Sequence, residues 1–460
     1  MGLILQKRTL VLGLGKSGQS VIRHLSRQGV PLSAADTRNN PPGLDRIVQQ
    51  FPGLSLHLGP LEQALLCAVE RIVLSPGISY YHPALQAAIR AGVEVVSDVE
   101  LFAREVSAPV VAITGSNGKS TVTTLVAEMA AAAGMAVLAG GNLGTPALDL
   151  LQPPAVDLYV IELSSFQLES IKSLAPAAAV VLNVSADHLD RYQDLSHYAA
   201  VKGRIYQHAE CLIYAADDPL VVGLMEQFGN PSADRYPYYQ TLSTGGKPGY
   251  GVGDELNGGG GISRAGEPWM AIESIRMVGH HNRMNAVAAL TLGAAVGLPE
   301  SSMVETLQRF SGLPHRTEWV AELQGVGWVN DSKGTNVGAT EAALAGLSSP
   351  AVAEKIVWIA GGQGKGADLS PLRSLVAERG RAVVLMGEDA TTIAAALGSV
   401  VPLHYAKDMM EAVRIAHAIA RPGDTVLLSP ACASFDQYSG FEARGLAFVT
   451  ALERLKGEER

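Results

Sequence analysis

The sequence predicts an α/β protein of three domains, and three observations carry that prediction. Short runs of Val, Ile, Leu and Ala alternate with helix-length amphipathic segments along nearly all of the 460 residues. That alternation belongs to parallel sheets joined by crossover helices. Two of the runs end in glycine turns that open helices, "TLVLGLGKSGQS" from Thr9 and "VVAITGSNGKST" from Val110. The length accommodates three domains of roughly 150 residues each.

Composition narrows the function classes. Apolar residues make up 47% of the chain, enough for sizeable cores. Net charge is −9 with no basic block, which argues against a nucleic-acid partner. Cys67, Cys211 and Cys432 are too few and too scattered for a disulfide framework or a CxxC metal pair, so a reducing cytoplasm is the expected setting. The chain enters a strand-like run with no signal peptide, and Gln6 stands where a myristoylation signal needs Ser or Thr. The apolar stretch Val122–Gly140 contains Glu128 and is broken by Gly134, so it reads as a buried helix and strand rather than a membrane span.

Three units follow in order: residues 1–98, 99–310 and 311–460. The first join, "SDVELFAREVSAP", reads as a short helix leading into a new strand. Within the second unit, Gly229–Pro268 is rich in Gly, Pro, Ser and Asn and reads as loops with a small hairpin.

The second unit carries a phosphate turn. "TGSNGKST" places Gly115, Ser116, Asn117, Gly118, Lys119, Ser120 and Thr121 between a strand and a helix. A helix N-terminus offers free N–H groups and the positive end of a dipole. Lys119 can reach β- and γ-phosphates, and the Ser120 hydroxyl can sit on Mg²⁺. Gly115 lies three residues before Gly118 rather than five, so this is a shortened relative of the P-loop. Later strands end in Glu162, Ser164 and Ser165, then in Asn183, Asp187, His188 and Asp190. Ligands sit at the carboxyl ends of strands in such sheets, which places Glu162 and His188 at the same phosphate site. Oxygen ligands suit Mg²⁺. Lys202 on a helix reads by itself as a solvated residue. Asn282 and Asn285 begin another helix, where Asn282 can be a cap or the two amides can read a purine edge.

The first unit carries a full GxGxxG at Gly13, Gly15 and Gly18, with Asp36 ending the next strand. This is a dinucleotide fingerprint, and an NAD-dependent dehydrogenase is the competing reading. A sugar nucleotide also satisfies it, and a pure oxidoreductase has no use for the second phosphate turn. Gly77 ends a further strand of this unit. The third unit supplies polar clusters where strands end: Arg316; Asp331, Ser332, Lys333, Thr335 and Asn336; Gly361, Gly362 and Lys365; then Ser429, Ser434, Asp436, Phe441 and Arg444. Lys365, Ser434 and Thr335 suit a small anionic substrate.

Taken together, "TGSNGKST", "GGNLG", "ELSSFQLE", "NVSADHLDRY", "HNRMNAVAA", "LPHRTEWV", "NDSKGTN" and "GGQGKGADLSPL" resemble, in order, the motifs of the Mur ligases, ATP-dependent amino-acid ligases of peptidoglycan synthesis. The resemblance covers the whole chain. It implies a Rossmann-like N-terminal domain, a central P-loop-type ATPase domain with a mostly parallel sheet, and a Rossmann-like C-terminal domain for the incoming amino acid. It implies that Gly15, Lys16, Ser17, Asp36, Thr37, Arg38 and Gly77 contact the UDP end of a sugar-nucleotide substrate, and that Asn142 holds its muramoyl part. Lys119 is then expected on the γ-phosphate, with Ser120 and Glu162 on one Mg²⁺. His188 and a carbamoylated Lys202 are expected near a second. Asn282, Asn285, Arg316 and Asp331 are expected around ATP. Thr335, Lys365, Ser434 and Phe441 are expected around D-glutamate, which joins UDP-N-acetylmuramoyl-L-alanine through an acyl phosphate in a cytoplasmic, monomeric enzyme with no membrane partner. Gly334 stands where the family pattern has Ala, and Lys16 where other members carry Leu. A sister ligase adding another amino acid, a folylpolyglutamate synthetase and a nucleotide-binding regulator are the alternatives. The synthetase lacks the Gly13–Gly18 domain, and the regulator needs no carboxylate-reactive centre.

Overall fold

The computed structural model describes residues 8–151, 155–188, 191–240, 249–253, 261–271, 274–277, 279–347 and 355–458. Strands β1 (Thr9–Leu12), β2 (Leu32–Asp36), β3 (Ser55–Leu58), β4 (Arg71–Leu74) and β5 (Glu94–Ser97) form one sheet in the order β3-β2-β1-β4-β5. All its pairs are parallel. The central strand "TLVL" is buried throughout and the edge strand β3 largely exposed, as burial on both faces of a parallel sheet requires. Strand order reverses between β1 and β4. The glycine turn after β1 and the turn carrying Gly77 after β4 therefore flank one crevice, where such sheets take their ligands.

A second sheet holds β6 (Val110–Thr114), β7 (Val137–Gly141), β8 (Leu158–Glu162), β9 (Ala178–Val181), β10 (Cys211–Ala215), β11 (Asp234–Tyr239), β12 (Tyr250–Gly253), β13 (Gly261–Arg264) and β14 (Glu267–Ala271). Its order is β14-β13-β12-β11-β10-β9-β6-β8-β7. Pairing is parallel up to β12 and antiparallel beyond it. The apolar stretch after the phosphate turn is the helix Lys119–Ala132 followed by β7, and no described helix is long and apolar enough to cross a membrane.

The loop part of the expectation for Gly229–Pro268 is corrected by this sheet, while its small hairpin is present as the antiparallel pair β12–β13. "DRYPYY" is strand β11, and β12 to β14 extend the sheet as a meander. Aromatic residues outweigh the turn formers: Tyr238 and Tyr250 are buried, and Tyr250 meets Trp269 edge to face at 5.4 Å. Residues 241–248 and 254–260, with most of the "NGGGG" run, lie outside the described residues, as does Asp190.

A third sheet, β15 (Glu318–Leu323), β16 (Val326–Asn330), β17 (Ile356–Gly361), β18 (Gly380–Met386), β19 (Leu403–Tyr405) and β20 (Thr425–Leu428), runs β15-β16-β20-β17-β18-β19. Only its edge strand β15 is antiparallel. The joins differ in kind. The helix Asp98–Glu105 packs Phe102 against Tyr159 at 5.4 Å. One apolar core there runs unbroken from the first sheet into the second. The third sheet has its own cores.

Candidate active site

In the first sheet's crevice, the turn after β1 is compact because it must be. A Cβ on Gly18 would lie 1.8 Å from the Gly13 carbonyl oxygen, whereas one on Gly15 meets nothing within 4 Å. Asp36, at the end of β2, is buried and pins the turn: its Oδ2 accepts from the Leu14 amide at 2.7 Å. Oδ1 accepts from the Arg38 amide and Nε at 2.9 and 2.8 Å, and Oδ2 from Arg38 Nη2 at 2.7 Å. Burial opposes ionisation of Asp36, but the Arg38 guanidinium and the two amides outweigh it and hold the pKa below the usual 3.8. The Asp36 carboxylate thus fixes its own turn, and the half-exposed Arg38 guanidinium is the partner it presents to the crevice. Lys16, Thr37 and Gly77 are exposed and Ser17 half-buried around the same crevice.

The central turn is built on a left-handed Gly118 at φ 83°, where a Cβ would also lie 2.3 Å from Asn285 Oδ1. Asn183 closes it from β9's end: its Oδ1 accepts from the Asn117 amide at 2.9 Å and its Nδ2 donates to the Asn117 carbonyl at 3.2 Å. Lys119 Nζ folds back to donate to the carbonyls of Gly115 and Ser116, both at 2.9 Å. Lys202 Nζ donates to the same Gly115 carbonyl at 2.8 Å. Lys202 is 1% exposed, which overturns its reading as a solvated residue. The helix Leu195–Gly203 carries it inward, with its Nζ 4.6 Å from the centre of the Tyr198 ring. Burial, then the neighbouring Lys119, push its pKa well below 10.5.

β8 and β9 flank the turn on either side. Glu162, ending β8, is 2% exposed. Its Oε1 accepts from Asn142 Nδ2 at 2.6 Å, while Oε2 is buried with no hydrogen-bond partner among the described residues. Ser164 is a helix cap: with Gln167 it forms a reciprocal capping box. After β9, Asp187 Oδ2 lies 3.7 Å from His188 Nε2, and the His188 ring rests on Phe166 at 4.8 Å. His188 takes a left-handed backbone, φ 54°.

A cavity of about 390 Å³ opens between the central and third domains. It is lined by Asn117, Gly118 and Thr121 of the turn and by Asn282, Asn285, Arg316 and Asp331. Asn282 is not a cap, because Gly279 starts that helix; its Oδ1 accepts from Asn285 Nδ2 at 3.2 Å. Arg316 Nη2 crosses from the third domain to donate to Ser120 Oγ at 2.6 Å. Asp331 accepts from Ser429 Oγ at 2.6 Å and from the Thr317 amide at 3.0 Å. Burial nevertheless pushes its pKa up to about 6. Asn336 caps the helix Val337–Gly346 and also reaches Asp187 Oδ2 at 3.2 Å.

Thr335 and Phe441 are half-buried, Ser434 is buried, and Lys365 is exposed on a left-handed backbone. The loops of Lys365 and Ser434 are tied by reciprocal backbone bonds between Gln363 and Ala433, both 2.9 Å. Arg444, 2% exposed, joins all three loops: it donates to the carbonyls of Ser332, Cys432 and Gly361 at 2.9, 3.1 and 3.3 Å. No hydrogen bond, ion pair or ring contact among the described residues joins Lys365 to Thr335 or Phe441. Lys333 is one of the polar residues that the sequence singles out without assigning a role. It lines the cavity, its Nζ lies 3.9 Å from the Phe441 ring centre, and burial with Arg316 and Lys119 lowers its pKa to about 8. Its place inside "NDSKGTN" was the available signal.

Three family descriptions match the chain in succession: the Mur ligase MurD-like N-terminal domain over residues 7–97, the Mur ligase middle domain over 113–293, and the Mur ligase glutamate ligase domain over 315–432. Curated relatives include a UDP-N-acetylmuramoylalanine–D-glutamate ligase of Nitrosococcus oceani, 49% identical over 97% of this chain and 96% of its own. Another of the same name, from Pseudomonas aeruginosa, is 48% identical over 97% and 98%. Among solved structures, MurF ligase of Thermotoga maritima in complex with ADP superposes with TM-score 0.61 at 16% identity, covering 99% of this chain and all of that one. With three successive domain matches and near-half identity over almost its full length, the chain belongs to the Mur ligase family.

Proposed function

We propose that this chain is the ligase that joins D-glutamate to UDP-N-acetylmuramoyl-L-alanine at the expense of ATP, in cytoplasmic precursor synthesis. The observation that carries the reading is the convergence of two lysines, Lys119 and Lys202, on the Gly115 carbonyl in a glycine turn flanked by Glu162. The relatives' shared name supports D-glutamate as the amino acid. A dehydrogenase has no use for that turn.

The chemistry follows from the groups present. A carboxylate resists attack by an amine because of its charge, so the γ-phosphoryl of ATP passes to it first. The resulting acyl phosphate takes the D-glutamate amine, and the tetrahedral adduct collapses to an amide and phosphate. Such transfers need positioning and charge neutralisation. Lys119 exchanges its loop carbonyls for phosphate oxygens. Arg316, Asn282, Asn285 and Asp331 hold the nucleotide in the cavity. Glu162 fits a divalent cation, since Oε2 is a buried carboxylate oxygen without a hydrogen-bond partner among the described residues. Ser120 would share that cation with Glu162, His188 and Lys202 would help place a second, and Mg²⁺ held there would neutralise phosphate charge. Lys202, with its pKa lowered, is a nucleophilic amine able to take up CO₂ as a carbamate. Asn142 orients Glu162 beside the muramoyl end. Thr335, Lys365, Ser434 and Phe441 receive D-glutamate, and the third domain closes on the loaded cleft.

The test is phosphate release from ATP and Mg²⁺ with UDP-N-acetylmuramoyl-L-alanine, one amino acid at a time, with the product mass read in parallel. Release with D-glutamate alone supports the reading. Release with another amino acid moves the chain to a sister ligase, and none with any of them rejects the reaction.

A further inference from the structure

The segment after β9 faces two ways. His188 stays in the central domain with its ring on Phe166, and Arg191, whose amide donates to the His188 carbonyl at 2.9 Å, turns toward the first domain. Arg191 Nη1 donates to the Pro76 carbonyl at 2.7 Å and Nη2 to the Ile78 carbonyl at 3.2 Å. Those carbonyls flank Gly77, in the turn after β4 at the edge of the nucleotide crevice. The guanidinium is fixed from behind. Its Nε and Nη2 donate to Glu169 Oε1 and Oε2 at 3.1 and 2.6 Å, and it lies over the Phe166 ring at 3.9 Å. Glu169, 3% exposed, takes a further bond from the Tyr192 hydroxyl at 2.9 Å. Arg204 anchors the Glu169 carbonyl at 2.6 Å. A second tie across the same join links the Tyr81 hydroxyl to His197 Nε2 at 2.9 Å.

We propose that Arg191 is a positioning residue that sets the Pro76–Ile78 turn, and with it the uridine end of the substrate, in register with the reacting end at the central domain. The inference rests on the function proposed above. Only a planar fork does this job: one edge pairs with a carboxylate while the remaining donors span two carbonyls, and a lysine ammonium has neither the reach nor the geometry. Phe166 gives the assembly its economy, since it supports both the His188 ring and the Arg191 guanidinium. A shift of the Gly77 turn therefore feeds directly into the segment that bears His188.

The experiment measures UDP binding by calorimetry and steady-state kinetics on the full chain, comparing wild type with Arg191→Ala, Arg191→Lys and Glu169→Gln. The expected result is a KM for the UDP-linked substrate raised about tenfold or more, as when a positioning contact is lost. The KM for ATP should stay within about twofold, and Arg191→Lys should restore little of the defect although it keeps the charge over Phe166. Should Arg191→Ala fail to fold, the lysine and glutamine variants decide by the same split. Equal rises in both KM values, or no rise in either, overturn the proposal. If wild type itself binds no UDP, the underlying function falls; if wild type binds and the variants bind equally well, only the role of Arg191 falls.

Discussion

The two strand–glycine–helix turns share a plan and differ in what they leave unpaired. At Gly13–Gly18 the nearby carboxylate, Asp36, is satisfied by two amides and a guanidinium, and the turn is held as a rigid cradle. At Gly115–Ser120 the charged groups lack counter-charges: two lysines share one carbonyl, and Glu162 keeps a buried oxygen without a hydrogen-bond partner among the described residues. A cradle that only binds can pair the carboxylate that shapes it, while Asp98 beneath it stays unpaired among the described residues. A site that moves charge keeps groups ready for a ligand, and that readiness lowers the native state's stability.

Four predictions press on this contrast, the largest first. Glu162→Gln should lower turnover by about 10²–10³-fold, the scale for losing one electrostatic contact at a reacting phosphate, while thermal melting is unchanged or improved. A lowered melting point with normal turnover would reverse the assignment. Next, Asp36→Asn should behave oppositely, costing about 1.5–3 kcal/mol in denaturant unfolding through its charged hydrogen bonds, with the ATP-dependent chemistry of folded protein retained.

The third prediction concerns pH. Asp98 starts the helix beneath the first turn, and neither carboxylate oxygen has a hydrogen bond of good geometry. The nearby Ser17 hydroxyl and backbone amides offset burial only in part, and the pKa stands at about 6 rather than 3.8. The native state then binds the proton more tightly than the unfolded chain. Asp98's contribution to stability should fall as pH rises from about 4 to 6, by at most about 3 kcal/mol, and flatten above. Asp331, its pKa also raised to about 6, adds a slope of the same sign in the same window, so Asp98→Asn should remove Asp98's share of the slope in unfolding curves and leave that of Asp331. Asp36 has the opposite sign: its contribution is complete above 3.8 and is lost as pH falls through its depressed pKa.

The smallest effect belongs to Gly15→Ala. Its Cβ meets nothing within 4 Å, so stability should change by no more than about 0.5 kcal/mol. Any loss of UDP affinity then reports contact with the ligand. Gly18→Ala, aimed at the Gly13 carbonyl, should unfold the turn instead.

Some of this site was open to reading in one dimension. Glycine spacing, the lysine and hydroxyl after Gly118, and polar residues at strand ends are local patterns, because a phosphate turn is made by consecutive residues. Other roles were hidden. Lys202 looked solvated because its helix is not strongly amphipathic, and only the fold shows Gly115 waiting at its tip. Arg444 read as one polar group among many until its three carbonyl partners, from three separate loops, were in view. "DRYPYY" was lost among turn formers because its partners in the sheet lie elsewhere in the chain.

What the sequence by itself determined is therefore the class, the order of domains and the residue pattern of each glycine turn, all of which depend on neighbours in the chain. The tertiary structure decided which carboxylate is spent and which is free. It also made one join a continuous core and the other a polar cavity, and it turned Arg191 toward Gly77. Those outcomes depend on burial and on distances between residues far apart in sequence, and no local pattern carries either quantity.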